Sequence, residues 1–254
     1  MSLGLSIKVK QAMSLVLYQF PISHFCEKIR WALDYKGLDY KSKNMLPGQH
    51  VKFTKKVAPG TSVPVLKHND RYIQGSSKII TYLDDQFPNK KLTPVSPQAS
   101  QASIEWERYL DMEFGIHVRR YVYHTLLKHR SPVIGFLASG GPFWAKPILW
   151  FKFPQLVKGM RKFMDINDTT AEQSRQHIKK ALQRINDTVA KNDFLAGDYF
   201  SRADLTACAL LAPLFMPPQY GLVWPKKLPE PLQSEIDEML PQMQWAKNVY
   251  SKYR

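Results

Sequence analysis

The chain is expected to be α/β at its N-terminal end and all-α beyond it, and three observations carry that expectation. Short strand-like and helix-like segments alternate as far as residue 87; the stretch FPNKKLTPVSPQ at 87–98 has three prolines and no periodicity; everything after it shows helical spacing. The divisions are therefore a tail at 1–13, a mixed-sheet domain at 14–87, a linker at 88–98 and a helical domain at 99–254.

Taken in order, LVLYQF at 15–20 is apolar and strand-like. Ser23 stands where a helix can begin, Phe25, Ile29, Ala32 and Leu33 follow at helical spacing, and Gly37 is placed to end that helix. A second strand is expected at 38–45 and a short helix at 49–57. The segments 63–67 and 71–73 flank the turn His68-Asn69-Asp70 as a hairpin, and Ser76 caps a helix running to about residue 86. Strands joined by a helical crossover pair in parallel and hairpin strands antiparallel, so a small mixed sheet follows. Beyond the linker, helices are expected at 99–130, 146–164, 170–192, 202–213 and 231–250, with a Gly-Gly-Pro break at 140–142. Ser201-Arg202-Ala203-Asp204 reads as a capping box ahead of the apolar run LTACALL. The uncharged stretch 205–224 is as long as a membrane span, but Pro213, Pro217 and Pro218 interrupt it, which favours a buried helix ending near Pro213.

Composition bounds the chemistry. At 254 residues and 44% hydrophobic content there is enough apolar material for a real core. Cys26 and Cys208 are the only cysteines, which excludes a disulfide framework or a four-thiolate zinc site and suits a reducing, cytoplasmic setting; the first twenty residues carry no signal peptide pattern. No phosphate-binding loop, dinucleotide glycine motif or His-Glu-x-x-His is present, and the seven histidines have no metal spacing, so no metal is expected. The net charge is +15, and between 114 and 164 nine Lys or Arg occur with no Asp or Glu, interleaved with aromatics. Two readings stay open: an anionic partner (an acidic small molecule or an anionic membrane surface, with nucleic acid not favoured), or a basic face that only keeps the protein soluble.

Four segments in this order resemble the glutathione S-transferase superfamily from about residue 14 onward: SHFCEKIRWAL at 23–33, APGTSVPVL at 58–66, GSSKIITYLDDQFP at 75–88 and FLAGDYFSRADLT at 194–206. The resemblance implies a thioredoxin-like domain that binds glutathione as co-substrate, followed by an all-helical domain that helps form the pocket for an electrophilic acceptor. It also implies a homodimer with a role in detoxification. Pro64 falls on the family's cis-proline, and Val63 would offer its backbone to the cysteinyl part of glutathione. Ser76 matches the serine that holds the γ-glutamyl carboxylate, where the free N–H groups of a helix start attract an anion. The preceding position is Gly75, with Gln74 before it, where the family usually has an acid or Gln. Gln49 and His50 are candidates for the glycine carboxylate.

Ser23 occupies the family's catalytic position. A free thiol is only a few per cent ionised near neutrality, and a hydroxyl donor at a helix N-terminus favours the thiolate, so Ser23 would stabilise the anionic sulfur of glutathione. Ser23 also serves as an N-cap on the bland reading, and both roles can coexist. Cys26, one turn inside, is either a small core residue or the attacking thiol of a glutathione-dependent reductase. Tyr18 is the second-ranked hydroxyl, and His24 is expected to be a surface imidazole. Tyr109, Phe114, His117 and Tyr121 are the candidates for the acceptor pocket. The segment 131–155 reads as a lid, a dimer interface or a basic membrane-surface element. The alternative to a transferase is a non-catalytic binding or docking protein of the same fold.

Overall fold

The computed structural model describes residues 14–254; the expected tail lies outside the described residues. Four strands form one mixed sheet in the order β2-β1-β3-β4: β1 (Leu15–Gln19), β2 (Tyr40–Asn44), β3 (Val65–His68) and β4 (Arg71–Gln74). β1 pairs parallel with β2 in the register Leu15 to Tyr40 and antiparallel with β3 in the register Leu15 to His68, as the crossover and hairpin require. The central strand is apolar and buried, whereas β2, YKSKN, lies at an edge and presents lysines that discourage further pairing. Asn69 turns the hairpin at φ 52°, a conformation its short amide side chain tolerates.

Helices α1 (His24–Tyr35), α2 (Gln49–Val57) and α3 (Ser76–Gln86) accompany the sheet. Gly37 ends α1 at φ 68°. The helical part begins with α4 (Pro97–Leu110), passes through a π turn at Asp111–Gly115 and continues as α5 (Ile116–Leu126). The long helix expected at 99–130 is therefore shorter, and a separate α6 (Arg130–Leu137) follows it. The segment expected as one helix at 146–164 is two, α7 (Ala145–Phe151) and α8 (Phe153–Met164), because Pro154 lacks the N–H that would carry the first through. Then come α9 (Asp168–Val189) and α10 (Arg202–Phe215). Last are α11 (Leu232–Met239) and α12 (Gln244–Tyr253), separated by a 3-10 turn that begins at Leu240-Pro241.

α10 runs two residues past Pro213, which loses only one bond in the last turn, and it is buried on nearly every side as the centre of the helical part. Its capping box forms: Ser201 accepts from Ala203 N–H, and Asp204 accepts from Ser201 N–H at 2.9 Å and from Leu195 N–H at 2.7 Å. Among the described residues no helix is long and apolar enough to cross a membrane.

The two parts share one core. Trp31 of α1 is fully buried and donates Nε1–H to the Tyr253 carbonyl at 2.7 Å. Lys28 of α1 pairs with Glu107 of α4 at 2.8 Å and Asp111 at 2.9 Å, and Arg202 of α10 pairs with the same Glu107 at 2.5 Å. The first half of the 88–98 segment is pinned: Asp84 accepts from the amides of Leu92 and Thr93, and Lys36 pairs with Asp84 while donating to the Phe87, Asn89 and Lys90 carbonyls.

Candidate functional site

The site is built at the exit of β1. Ser23 holds extended backbone at φ −72°, ψ 120°, and its Oγ caps α1 by accepting from Cys26 N–H at 3.3 Å. The first-turn amides of α1 have no partner within the helix, so they point their partial positive charge at the loop. Arg30 fixes that loop from beneath, donating to Gln19 Oε1 at 2.6 Å and the Pro21 carbonyl at 3.2 Å while paired with Glu27. Glu27 in turn accepts from Tyr250 and Arg254, both at 2.6 Å, so the α12 end of the chain supports the Ser23 turn.

Ser23 opens on a cavity of about 670 Å³, within the usual range for a ligand site. Its sheet-side wall contains Gln49, His50 and Val63, and Val63–Pro64 is a cis peptide. His50 Nδ1 accepts from Gly48 N–H at 3.1 Å, which puts its ring proton on Nε2 and makes it a donor. The opposite wall is apolar and helical: Val118, Val122 and Leu126 of α5, Leu149 of α7, and Leu156 and Met160 of α8. The segment 131–155 thus contributes a wall of the cavity through α7, and its turn is latched to the sheet by Asn44 Nδ2 donating to the Gly140 carbonyl at 3.2 Å.

Four expected glutathione contacts, Pro64, Gln74, Gly75 and Ser76, do not line this cavity. Ser76 is buried at the start of α3, where Gly75 adopts φ 96° and the first helical bond runs from Ile79 N–H to the Gly75 carbonyl, leaving the intervening amides free. Gln74 spends its amide on the neighbouring loop, donating to the Gly60 and Ser62 carbonyls and accepting from Gly60 N–H.

The four acceptor-pocket candidates lie away from this cavity. Tyr109 lies beneath the Arg184 guanidinium at 4.1 Å; Phe114 is fully buried in the core; His117 faces α9 and shares a 3.0 Å hydrogen bond with Ser174; Tyr121 donates to Glu235 at 2.6 Å. None lines the cavity; for His117 and Tyr121 this is because the face of α5 turned to it is the neighbouring one, carrying Val118, Arg119, Val122 and Tyr123.

Tyr18 stacks on Phe53 at 4.1 Å and burial raises its pKa, and it too is absent from the lining. Cys26 is fully buried; burial pushes its pKa up despite the Ser23 hydroxyl beside it, and it does not line the cavity. His24 is not a surface imidazole. It is 4% exposed, faces the cavity, and burial together with the Arg119 charge holds its pKa down to about 3.

The fold also gathers Glu113, His117 and His177, whose ligand-type atoms lie within 4.8 Å of one another, a cluster that sequence spacing did not announce. The two imidazoles stack at 4.0 Å with 6° between their planes. Parallel rings have no shared plane in which both could ligate one ion, and the nearby Arg120 charge opposes a cation.

The thioredoxin-like sheet half, the cis-proline turn beside a hydroxyl-capped helix and the helical second half together define a two-part fold class. Family models agree: the glutathione S-transferase N-terminal domain matches residues 17–91 and the C-terminal domain matches residues 147–231. The chain belongs to the glutathione S-transferase superfamily. Glutathione S-transferase 1 of Dianthus caryophyllus is 39% identical over 88 residues, 33% of this chain and 39% of its own, so the chain spans less than half the length of that relative. Glutathione transferase F7 of Populus trichocarpa superimposes with a TM-score of 0.64 at 17% identity over 94% of both chains. A glutathione S-transferase of Methylobacterium radiotolerans, solved with glutathione sulfonate, gives 0.61 at 18% identity over 94% of this chain and 91% of its own.

Proposed function

We propose that the protein is a glutathione transferase in which Ser23 stabilises the thiolate of glutathione for attack on an electrophilic, mainly apolar acceptor. One observation carries this reading: the Ser23 hydroxyl, at the N-cap of α1, opens on the same cavity as the Val63–Pro64 turn and the apolar wall of α5, α7 and α8. The Ser23 oxygen accepts from an amide and keeps its own proton to donate. Donated to sulfur, together with the dipole of α1, it favours loss of the thiol proton to solvent. The thiolate then forms a carbon–sulfur bond to the acceptor as the leaving group departs with its electron pair. Neither Asp nor Glu lines the cavity, so nothing there repels the anion. Cys26 has the opposite of a reactive thiol's surroundings, which disfavours a Cys26-dependent reductase.

The test is turnover of a chlorodinitrobenzene with glutathione. A charge-assisted hydrogen bond contributes about 1.5–3 kcal/mol, so Ser23→Ala is expected to lower kcat/KM by about 10- to 100-fold. The same substitution is expected to raise the pKa of bound glutathione, read from thiolate ultraviolet absorbance. Unchanged turnover in Ser23→Ala removes the proposed mechanism.

A further inference from the structure

Arg119 stands in a mainly apolar wall that also holds Lys152 and Gln155. It lines the cavity, and among the described residues it makes no ion pair and no hydrogen bond. Its Nε is buried without a partner, and burial lowers its pKa, with the neighbouring Arg120 adding to the effect. Arg119 as a whole is half-buried and turned to the cavity, so its guanidinium is partly desolvated at Nε and open to an anion that enters there. Two further polar groups accompany it. Tyr123, one turn along the same face of α5, lines the cavity with its hydroxyl unbonded, and burial pushes its pKa up to about 12. His24, from the first turn of α1, is close enough to feel the Arg119 charge, and its Nε2 is buried and unpartnered.

We infer that Arg119, with Tyr123 and His24, forms an anion-binding corner of the acceptor side of the cavity, and that the acceptor is an apolar electrophile bearing a carboxylate. This rests on the transferase reading of the cavity. The corner suits such a group chemically: a guanidinium supplies paired N–H donors to the two carboxylate oxygens, a phenol supplies a third, and an imidazole N–H a fourth. The carboxylates of glutathione are not the natural occupants. Their expected partners, Ser76 and the pair Gln49 and His50, belong to the sheet half, whereas Arg119 shares its helix face with Val118 and Val122 on the acceptor wall.

The experiment compares a chlorodinitrobenzoate with its methyl ester, which carries the same reactive carbon and leaving group without the charge. In the wild type the acid is expected to be the better substrate by kcat/KM. In Arg119→Met the acid-to-ester ratio is expected to fall by about 10- to 100-fold, the range of one lost charge-assisted hydrogen-bond set, and Arg119→Lys should recover part of it. Tyr123→Phe is expected to lower the ratio by a smaller factor. Removing an unpaired, partly desolvated cation is also expected to leave the thermal midpoint of Arg119→Met at or above that of the wild type, which separates loss of selectivity from loss of fold. An unchanged ratio in Arg119→Met overturns the inference, as does a rise in the KM for glutathione that matches the rise for the acid. Calorimetry with an unreactive dinitrobenzoate reads the same corner without chemistry. If the wild type turns over neither compound yet binds that benzoate in an Arg119-dependent way, the transferase reading fails while the anion corner stands; no Arg119-dependent binding overturns the corner itself.

Discussion

His24 and His117 are held neutral in the folded chain, with pKa values near 3 and 4, by burial first and then by neighbouring cationic or imidazole groups. An unfolded histidine titrates at 6.5, so between there and the folded values the unfolded chain binds more protons. Stability contributed by these groups is complete above pH 6.5 and is lost as pH falls. Asp204 works in the opposite direction: burial raises its pKa to about 6 despite the amides of Leu195 and Ser201, so the folded chain keeps that proton longer and its share of stability falls as pH rises from about 4. His24→Asn isolates one term. In urea titrations at a series of pH values, the stability difference between wild type and His24→Asn is expected to shift in favour of the variant as pH drops below 6.5, by up to about 1.4 kcal/mol per pH unit. A pH-independent difference would contradict the burial of a neutral imidazole. Ser23 was legible in the chain because an N-cap hydroxyl after an apolar strand is a local pattern. The burial of His24 and the solitude of Arg119 were not, because both depend on which helix of the second half covers the first.

α5 marks where local pattern stops being enough. Its apolar spacing announced a helix, but the face turned to the cavity depends on the winding upstream, and the π turn at Asp111–Gly115 rotates everything after it relative to a regular α-helix. The pairing of Val118 with Val122 and Arg119 with Tyr123 at four-residue spacing was the available signal for the correct face. Gly115 allows this close passage: a Cβ there would meet Leu210 and Phe25 at 2.9 Å. Helix ends at Gly37 and Gln86, and the box at Ser201, were readable because caps and prolines act locally. The latch between the α6–α7 turn and β2 was not. Gly140 adopts φ 61°, and a methyl group there would overlap the Asn44 amide. Gly140→Ala is expected to destabilise the chain by about 1–2 kcal/mol and to raise the KM for the acceptor severalfold, through loss of the turn from the cavity rim. Denaturation midpoints and acceptor saturation curves check this; wild-type values in both would refute the latch.

The two halves are joined by buried charge as much as by apolar packing. Glu107 is 1% exposed and answers both Lys28, fully buried on α1, and Arg202 on α10, so Lys28 and Arg202 together hold its carboxyl below the usual range against the opposing effect of burial. Glu107→Gln leaves Arg202 facing a neutral amide and Lys28 with Asp111 alone, and is expected to cost about 3–5 kcal/mol in chemical denaturation. A midpoint equal to wild type would mean that the three charges are not mutually dependent. Sequence pattern separated the chain into a sheet part and a helical part, but nothing in it pairs residue 28 with 107 and 202, since such contacts are set only by docking.

The segment 88–98, proline-rich and without periodicity, has the composition of a tether, yet Lys36 and Asp84 hold five of its neighbouring backbone groups in place. A substrate therefore encounters walls already assembled from both parts. Association is charged with immobilising the guests alone, and none of the interaction energy is diverted to drawing two loosely strung bodies together.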